Sequence, residues 1–431
     1  MKIMTPLADQ YLDRFEADLN TLPGGKREAV RRLRKSGLDI FSGLDFPDRK
    51  NEAWRFTNLA GLTKGTDAEA TVTEEATSIP RDALKTPHVM TFINGRFSAS
   101  DSRLGDLPEG VSLTSLHAEL ETGNDDLVKQ IKPKSGALVA LNTAFMEDGF
   151  VLQVAEGVTL DAPVLIDFVS TNEKGRDARH MRNIVLLGAG ATLTLLEQHT
   201  SRHGHRYFSN PRTDVTLAEG ARLNHYKLQD ESLAAFHLAE LDCEITKGAV
   251  YENFSLSLGG KLSRNELTTR IVGAGGLSIL NGAYLMRGEQ HSDTTTLTRH
   301  LVPENDSRQV YKGVLDDSAY GVFQGKIHIA EDAQKVSGDQ LSRALLLSDR
   351  ATVAVKPELE IFADDVKCSH GASSGELDED ALFYLQSRGI DALTARKMLI
   401  DAFLTDVINE ISNEAVREYF SDIATRWLDK V

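Results

Sequence analysis

The chain has 431 residues, 41% of them hydrophobic and 26% charged, a composition that supports sizeable cores, and its length suggests two or three units. Its net charge of −16 argues against the clustered Lys and Arg of a nucleic-acid or anionic-membrane surface and points to proteins as partners. Two cysteines, Cys243 and Cys368, exclude a disulfide framework and a self-contained four-cysteine metal site, and a reducing compartment is the simpler context.

No apolar run approaches the roughly 20 residues that cross a bilayer, and the start Met1-Lys2-Ile3-Met4-Thr5-Pro6 lacks a signal peptide's apolar stretch, so the expected location is the cytoplasm. From Leu7 to about Leu62 apolar residues fall at helical spacing, as in Tyr11, Phe15, Leu19 and Val30, Leu33, with breaks at Pro23-Gly24-Gly25 and Phe46-Pro47. The stretch Lys50-Asn51-Glu52-Ala53-Trp54-Arg55-Phe56-Thr57 follows a Pro-containing turn and reads as a helix start whose Trp54 and Phe56 pack on a neighbour. Thr66 to Pro80 is rich in Thr, Glu, Ala and Asp and reads as a linker, so residues 1–85 form a helical N-terminal domain with its linker.

From about Val89 to Cys368 short alternating runs dominate, such as Phe150-Val151-Leu152-Gln153-Val154 and Ala351-Thr352-Val353-Ala354-Val355, and these are strands. A turn-like unit recurs within them at Gly157, Gly190, Gly220, Gly248 and Gly275, spaced roughly 27 to 33 residues apart. A glycine where each coil turns, followed by an alternating strand, is what a parallel β-helix requires; an antiparallel β-sandwich, with turn signals every 8 to 12 residues, is the rival. The spacing favours a solenoid, placed at 86–371, whose two open ends need covers. From Leu377 the period returns to helical: Leu382, Tyr384, Leu385; Met398, Leu399, Ala402, Phe403, Val407, Ile411; and Val416, Phe420, Ile423, Trp427. Residues 372–431 therefore form a C-terminal helical domain. Arg388-Gly389-Ile390 reads as a helix stop, and Ser412 or Asn413 as the cap of the last helix. The face of Phe420, Ile423 and Trp427 either packs at home or docks on a partner.

The usual catalytic motifs are absent. There is no Walker A loop, and Gly188-Ala189-Gly190-Ala191-Thr192-Leu193 fails the dinucleotide fingerprint at its third glycine; no G-x-S-x-G, H-E-x-x-H or C-x-x-C occurs. What remains is Cys368-Ser369-His370 after Asp364-Asp365. On a continuous strand Cys368 and His370 project to one side, about 7 Å apart at the backbone, and thiolate and imidazole both bind iron and zinc. Two ligands leave a metal site half built, so a second chain or labile ligands would complete it; the alternative is a buried cysteine beside a hydrogen-bonded histidine. His199, His203 and His205, and His291 and His300, read as polar surface or solenoid turns, and Cys243 as a small packing residue in a strand.

Lys312-Gly313, Gly321-Val322-Phe323-Gln324-Gly325-Lys326-Ile327, Leu345-Leu346-Leu347-Ser348 and Pro357-Glu358-Leu359-Glu360-Ile361 run into Ala363-Asp364-Asp365-Val366-Lys367-Cys368-Ser369-His370-Gly371-Ala372. With Leu382-Phe383-Tyr384-Leu385-Gln386-Ser387-Arg388-Gly389-Ile390, and more weakly Ala140-Leu141-Asn142-Thr143-Ala144 and Glu52-Ala53-Trp54-Arg55-Phe56-Thr57, nearly the whole chain resembles the SufB/SufD family. Its length and its Trp-Arg-Phe-Thr and Cys-Ser-His-Gly-Ala stretches are similar to the D-type branch. The resemblance implies a right-handed parallel β-helix between helical end domains, in a complex with one B-type subunit and two copies of a SufC-type ATPase. It implies a non-enzymatic scaffold in iron–sulfur cluster assembly and transfer: Cys368 and His370 at a transient cluster shared with the B-type subunit, and the ATPase held by the C-terminal domain through Arg388, Gly389, Phe420, Ile423 and Trp427. Sulfur would come from a cysteine desulfurase and its transfer protein. The resemblance leaves open whether a flavin joins the complex, and leaves the isolated chain a monomer or a homodimer. A carbohydrate-active β-helix enzyme using Asp364-Asp365, or a structural scaffold without metal ligation, are the rival readings.

Overall fold

The computed structural model describes residues 3–64, 84–123, 125–131, 136–171, 178–202 and 204–430. The linker read at Thr66–Pro80 and the residue His203 lie outside the described residues. Two sheets, of ten and eleven strands, form the body. Strands alternate between them along the sequence, so each pairs with the strand one coil earlier and one coil later: Arg222–Asp230 lies parallel to Thr192–Ser201 on one side and to Val250–Ser257 on the other. Parallel, in-register pairing identifies the solenoid and rejects the antiparallel sandwich.

Strand alternation then sorts the side chains. Leu195, Leu223, Tyr251, Leu280 and Tyr311 from the ten-stranded sheet meet Val185, Val215, Cys243, Leu267 and Phe323 from the other, forming a continuous apolar core. At one corner the turn residues stack as a ladder. Gly157, Gly190, Gly220 and Gly248 adopt φ of 64–71°, and each donates its N–H to the turn one coil later, to Ala189, Glu219, Lys247 and Ala274 respectively. Gly275 (φ 73°), Glu304 and Lys335 (both φ 58°) continue it, onto Glu304, Gln334 and finally Asp365.

Helices cover the outside. At the N-terminus α1 (Pro6–Asp18) starts at a Thr5 cap with Pro6 in its first turn, and α2 (Glu28–Leu44) and the short α3 (Ala60–Thr63) follow. Three more helices, α4 (Leu116–Thr122), α5 (Asp125–Gln130) and α6 (Ala137–Phe145), fall inside the range read as solenoid, so 86–371 is not uniformly strand. Every residue of α6 from Leu138 to Phe145 is buried, and α2 packs along the helix. Aromatic residues of this unit, Tyr11, Phe15, Phe41, Phe46 and Trp54, join Phe208, Phe236 and Leu262 of the eleven-stranded sheet in one core.

The last three helices are α7 (Glu379–Ser387), α8 (Ala392–Ile408) and α9 (Glu414–Leu428). Asn413 caps α9 by accepting from the Val416 N–H at 3.1 Å. Helices α8 and α9 bury Ile400, Leu404, Val407, Val416, Phe420, Ile423 and Trp427 against the outward face of the ten-stranded sheet, on Leu196, Tyr226, Phe254, Leu256 and Val310. The two possible uses of the Phe420 face are thereby resolved in favour of packing at home.

Candidate metal site

The turn ladder ends at Asp365, whose carbonyl accepts the Lys335 N–H and whose own N–H donates to the Gln334 side chain at 2.8 Å. The chain leaves it as the strand Val366–Gly375, which pairs only with Val336–Leu346, so its other edge is unpaired among the described residues. Cys368 sits beside Gly338 and His370 beside Gln340. Alternation puts both on the inward face of the final coil, about 7 Å apart along the strand, the geometry the sequence motif requires.

Cys368 packs at the margin of the small cluster of Ile327, Ile329, Ala333, Val336 and Ala363, which plugs this end of the solenoid. It is half-buried. Burial pushes the thiol above its ordinary value; the Gly338 N–H opposes this and the nearby Asp339 charge adds to it. The thiol is therefore protonated at neutral pH. His370 is exposed, as are Asp364, Asp365 and Asp339, the last accepting from Ser369 Oγ at 2.6 Å. Among the described residues no group of three or more His, Cys, Asp or Glu is arranged to hold a metal ion. Thiol and imidazole are suitable donors for iron, but the pair supplies only half of a tetrahedral set.

The remaining sequence-predicted residues divide into two groups. Arg388 and Gly389 (φ 88°) form the α7–α8 turn, with the Arg388 guanidinium 5.0 Å from the Tyr384 ring centroid. Around them Phe383, Tyr384, Leu393 and Met398 are 46–73% exposed, and α7 buries no residue. Phe420, Ile423 and Trp427 are at most 6% exposed. The ten-stranded sheet covers all three within this chain.

Two of the histidines read as polar surface or solenoid turns lie in the interior. His199 and His300 are at most 1% exposed. His199 belongs to a network between the sheets in which Glu197 meets His199 at 3.4 Å and His225 at 3.0 Å, Glu231 meets His237 at 2.6 Å, and Lys227 Nζ meets His237 Nε2 at 2.9 Å. The signal was present as period-two placement, Glu197/His199 and His225/Lys227/Gln229, which puts these groups on one face of a strand. The Trp-Arg-Phe-Thr stretch is structural here: Trp54 lies under the Arg264 guanidinium at 4.1 Å, and the Ala53 carbonyl accepts from Gln324 at 3.1 Å.

Comparison with known proteins agrees with this architecture. Residues 168–403 match the family model described as the SufBD core domain of SUF system FeS cluster assembly, and residues 5–166 match the SufBD N-terminal region. The chain belongs to the SufB/SufD family, and so is a subunit of the SUF iron–sulfur cluster assembly system. It is 31% identical over 426 residues to the chloroplastic protein ABCI7 of Arabidopsis thaliana, covering 96% of this chain and 89% of the relative. It is 28% identical to the iron–sulfur cluster assembly protein SufD of Escherichia coli (strain K12), covering 95% and 94%. To SufD of Bacillus subtilis (strain 168) it is 26% identical, covering 92% and 93%. No helix among the described residues is long and apolar enough to cross a membrane.

Proposed function

We propose that this chain is the D-type scaffold of a SUF complex, and that Cys368 and His370 are its ligands to iron and sulfide assembling at the interface with a B-type subunit. One arrangement carries the reading: a thiol and an imidazole on one face of a strand whose free edge closes the solenoid. An unpaired edge is a template for strand addition, so a partner chain that pairs there also delivers the missing donors. Sulfur enters from a cysteine desulfurase and its transfer protein, and this chain contributes ligands and no catalytic step of its own.

The SufC-type ATPase docks on the exposed face of α7 and α8, at Phe383, Tyr384, Leu393 and Met398 around Arg388 and Gly389. Closure of two ATPase subunits on ATP pulls on these helices and opens the interface to iron. The complex works in the cytoplasm in this reading. Anaerobic reconstitution of the whole complex with ferrous iron and sulfide tests the ligand role. His370→Ala is expected to lower cluster yield at least tenfold while leaving the complex intact; an undiminished yield would refute ligation.

A further inference from the structure

One interior contact is made in one coil and lost in the next. In one coil the Gln309 amide is satisfied across the interior, its oxygen accepting from Thr296 Oγ1 at 2.6 Å and its nitrogen donating to Thr298 Oγ1 at 3.2 Å. The in-register successors of Thr296 and Thr298 are Gly325 and Ile327, neither of which has a hydroxyl, yet the successor of Gln309 is again a glutamine, Gln340. Gln340 is 3% exposed, and both its amide atoms lack a hydrogen-bond partner among the described residues. Its amide lies against Gly325, where a Cβ would come within 1.9 Å of Nε2. An unpaired buried amide is unfavourable, so interior packing gives no reason for a glutamine here. The next position of the same inward column is His370.

We propose that Gln340 is the positioning residue of His370: its amide oxygen accepts a ring N–H and so leaves the other ring nitrogen's lone pair directed at iron. Metal-bound histidines characteristically donate their second ring nitrogen to such an acceptor, which fixes tautomer and ring orientation. Neighbouring strands lie about 4.8 Å apart, within reach of a glutamine side chain. The inference rests on the ligand role of His370 proposed above.

The test measures ferrous iron uptake by the complete complex as a function of pH, and thermal unfolding of the chain, for Gln340→Met, Gln340→Glu, His370→Ala and the Gln340→Met/His370→Ala double variant. Gln340→Met removes an unpaired polar group at nearly constant volume, so Tm is expected to hold or rise while iron affinity falls about tenfold or more. Gln340→Glu keeps an acceptor and is expected to retain uptake, with its pH midpoint moved upward because a carboxylate makes the imidazole more basic. In the His370→Ala background, Gln340→Met is expected to have no further effect. Wild-type affinity in Gln340→Met, or a further tenfold loss in the double variant, would overturn the positioning role while His370→Ala still shows its own loss. If His370→Ala takes up iron normally, the ligand reading and this inference fall together.

Discussion

Arg264 has 1% side-chain exposure and three contacts that meet nowhere else: the carboxylate of Asp293, itself fully buried, Glu266 Oε2 at 3.0 Å, and the face of Trp54. Asp293 also accepts the Thr57 hydroxyl, so one buried charge pair fastens residues 54–57 to the eleven-stranded sheet. Removing one member of such a pair leaves the other unpaired in a poorly solvated site. Arg264→Met is therefore expected to cost about 3 kcal/mol, read as a lowered denaturant midpoint; a change below about 0.5 kcal/mol would mean that Asp293 is solvated after all. The same residues show where sequence reading stops. Cys368 and His370 were legible because thiol and imidazole lie two positions apart on one strand. Arg264, Asp293 and Thr57 are brought together from 57 to 293, and Gln340 acquires meaning only through a register of about one coil, which no local pattern encodes.

The corner ladder explains why the solenoid could be read from five turns and not from the rest. Five turns carry glycine, which enters the left-handed region without penalty, and these repeat in the sequence. In the next two, Glu304 and Lys335 hold the same conformation, with their side chains 3.4 Å apart as an exposed ion pair, so the repeat continues in space after it has ended in the sequence. The ladder also separates backbone strain from crowding. A Cβ on Gly248 would meet nothing within 4 Å, whereas one on Gly273 would lie 2.1 Å from the Lys247 backbone nitrogen. Gly248→Ala is expected to lose about 1 kcal/mol, and Gly273→Ala distinctly more, since a strand-end backbone must move. Equal unfolding midpoints for the two would reject this account. Helices α4 to α6 were missed because they are short, and because α6 is buried all round and so has no polar face to give it a period. The face of Phe420, Ile423 and Trp427 was correctly seen as apolar, but helical periodicity is the same whether a face meets its own sheet or another chain.

Taken whole, the molecule buries histidines at its two main seams. His180 joins α1 to the solenoid, with Nε2 3.0 Å from Tyr11 OH and Nδ1 3.2 Å from Asn210, and burial pushes it down to about 3. His237, between the sheets, is pushed down to about 4 by burial, against the pull of Glu231. His199 is lowered by burial as well. Unfolded, each would titrate near 6.5. Below that value the unfolded chain takes up protons that the folded chain refuses, so stability is fully present above pH 6.5 and is lost as pH falls toward the folded values of about 4 and 3. Glu197 and Glu231 act in the same direction at lower pH: burial alone would raise them, but their histidine partners hold both well below the usual carboxylate range, and the stability this adds is lost as pH falls below about 4.5. Each fully refused proton is worth roughly 1.4 kcal/mol per pH unit, and two or three together rival the total stability of a typical domain within two units. Denaturant unfolding between pH 7.5 and 4.5 is expected to show a steep acid-side loss. His180→Asn, which cannot take up that proton, should flatten the slope by nearly one proton and preserve the docking of α1 longest in acid. A wild-type curve that stays level down to pH 5 would show that these imidazoles reach solvent before the fold opens.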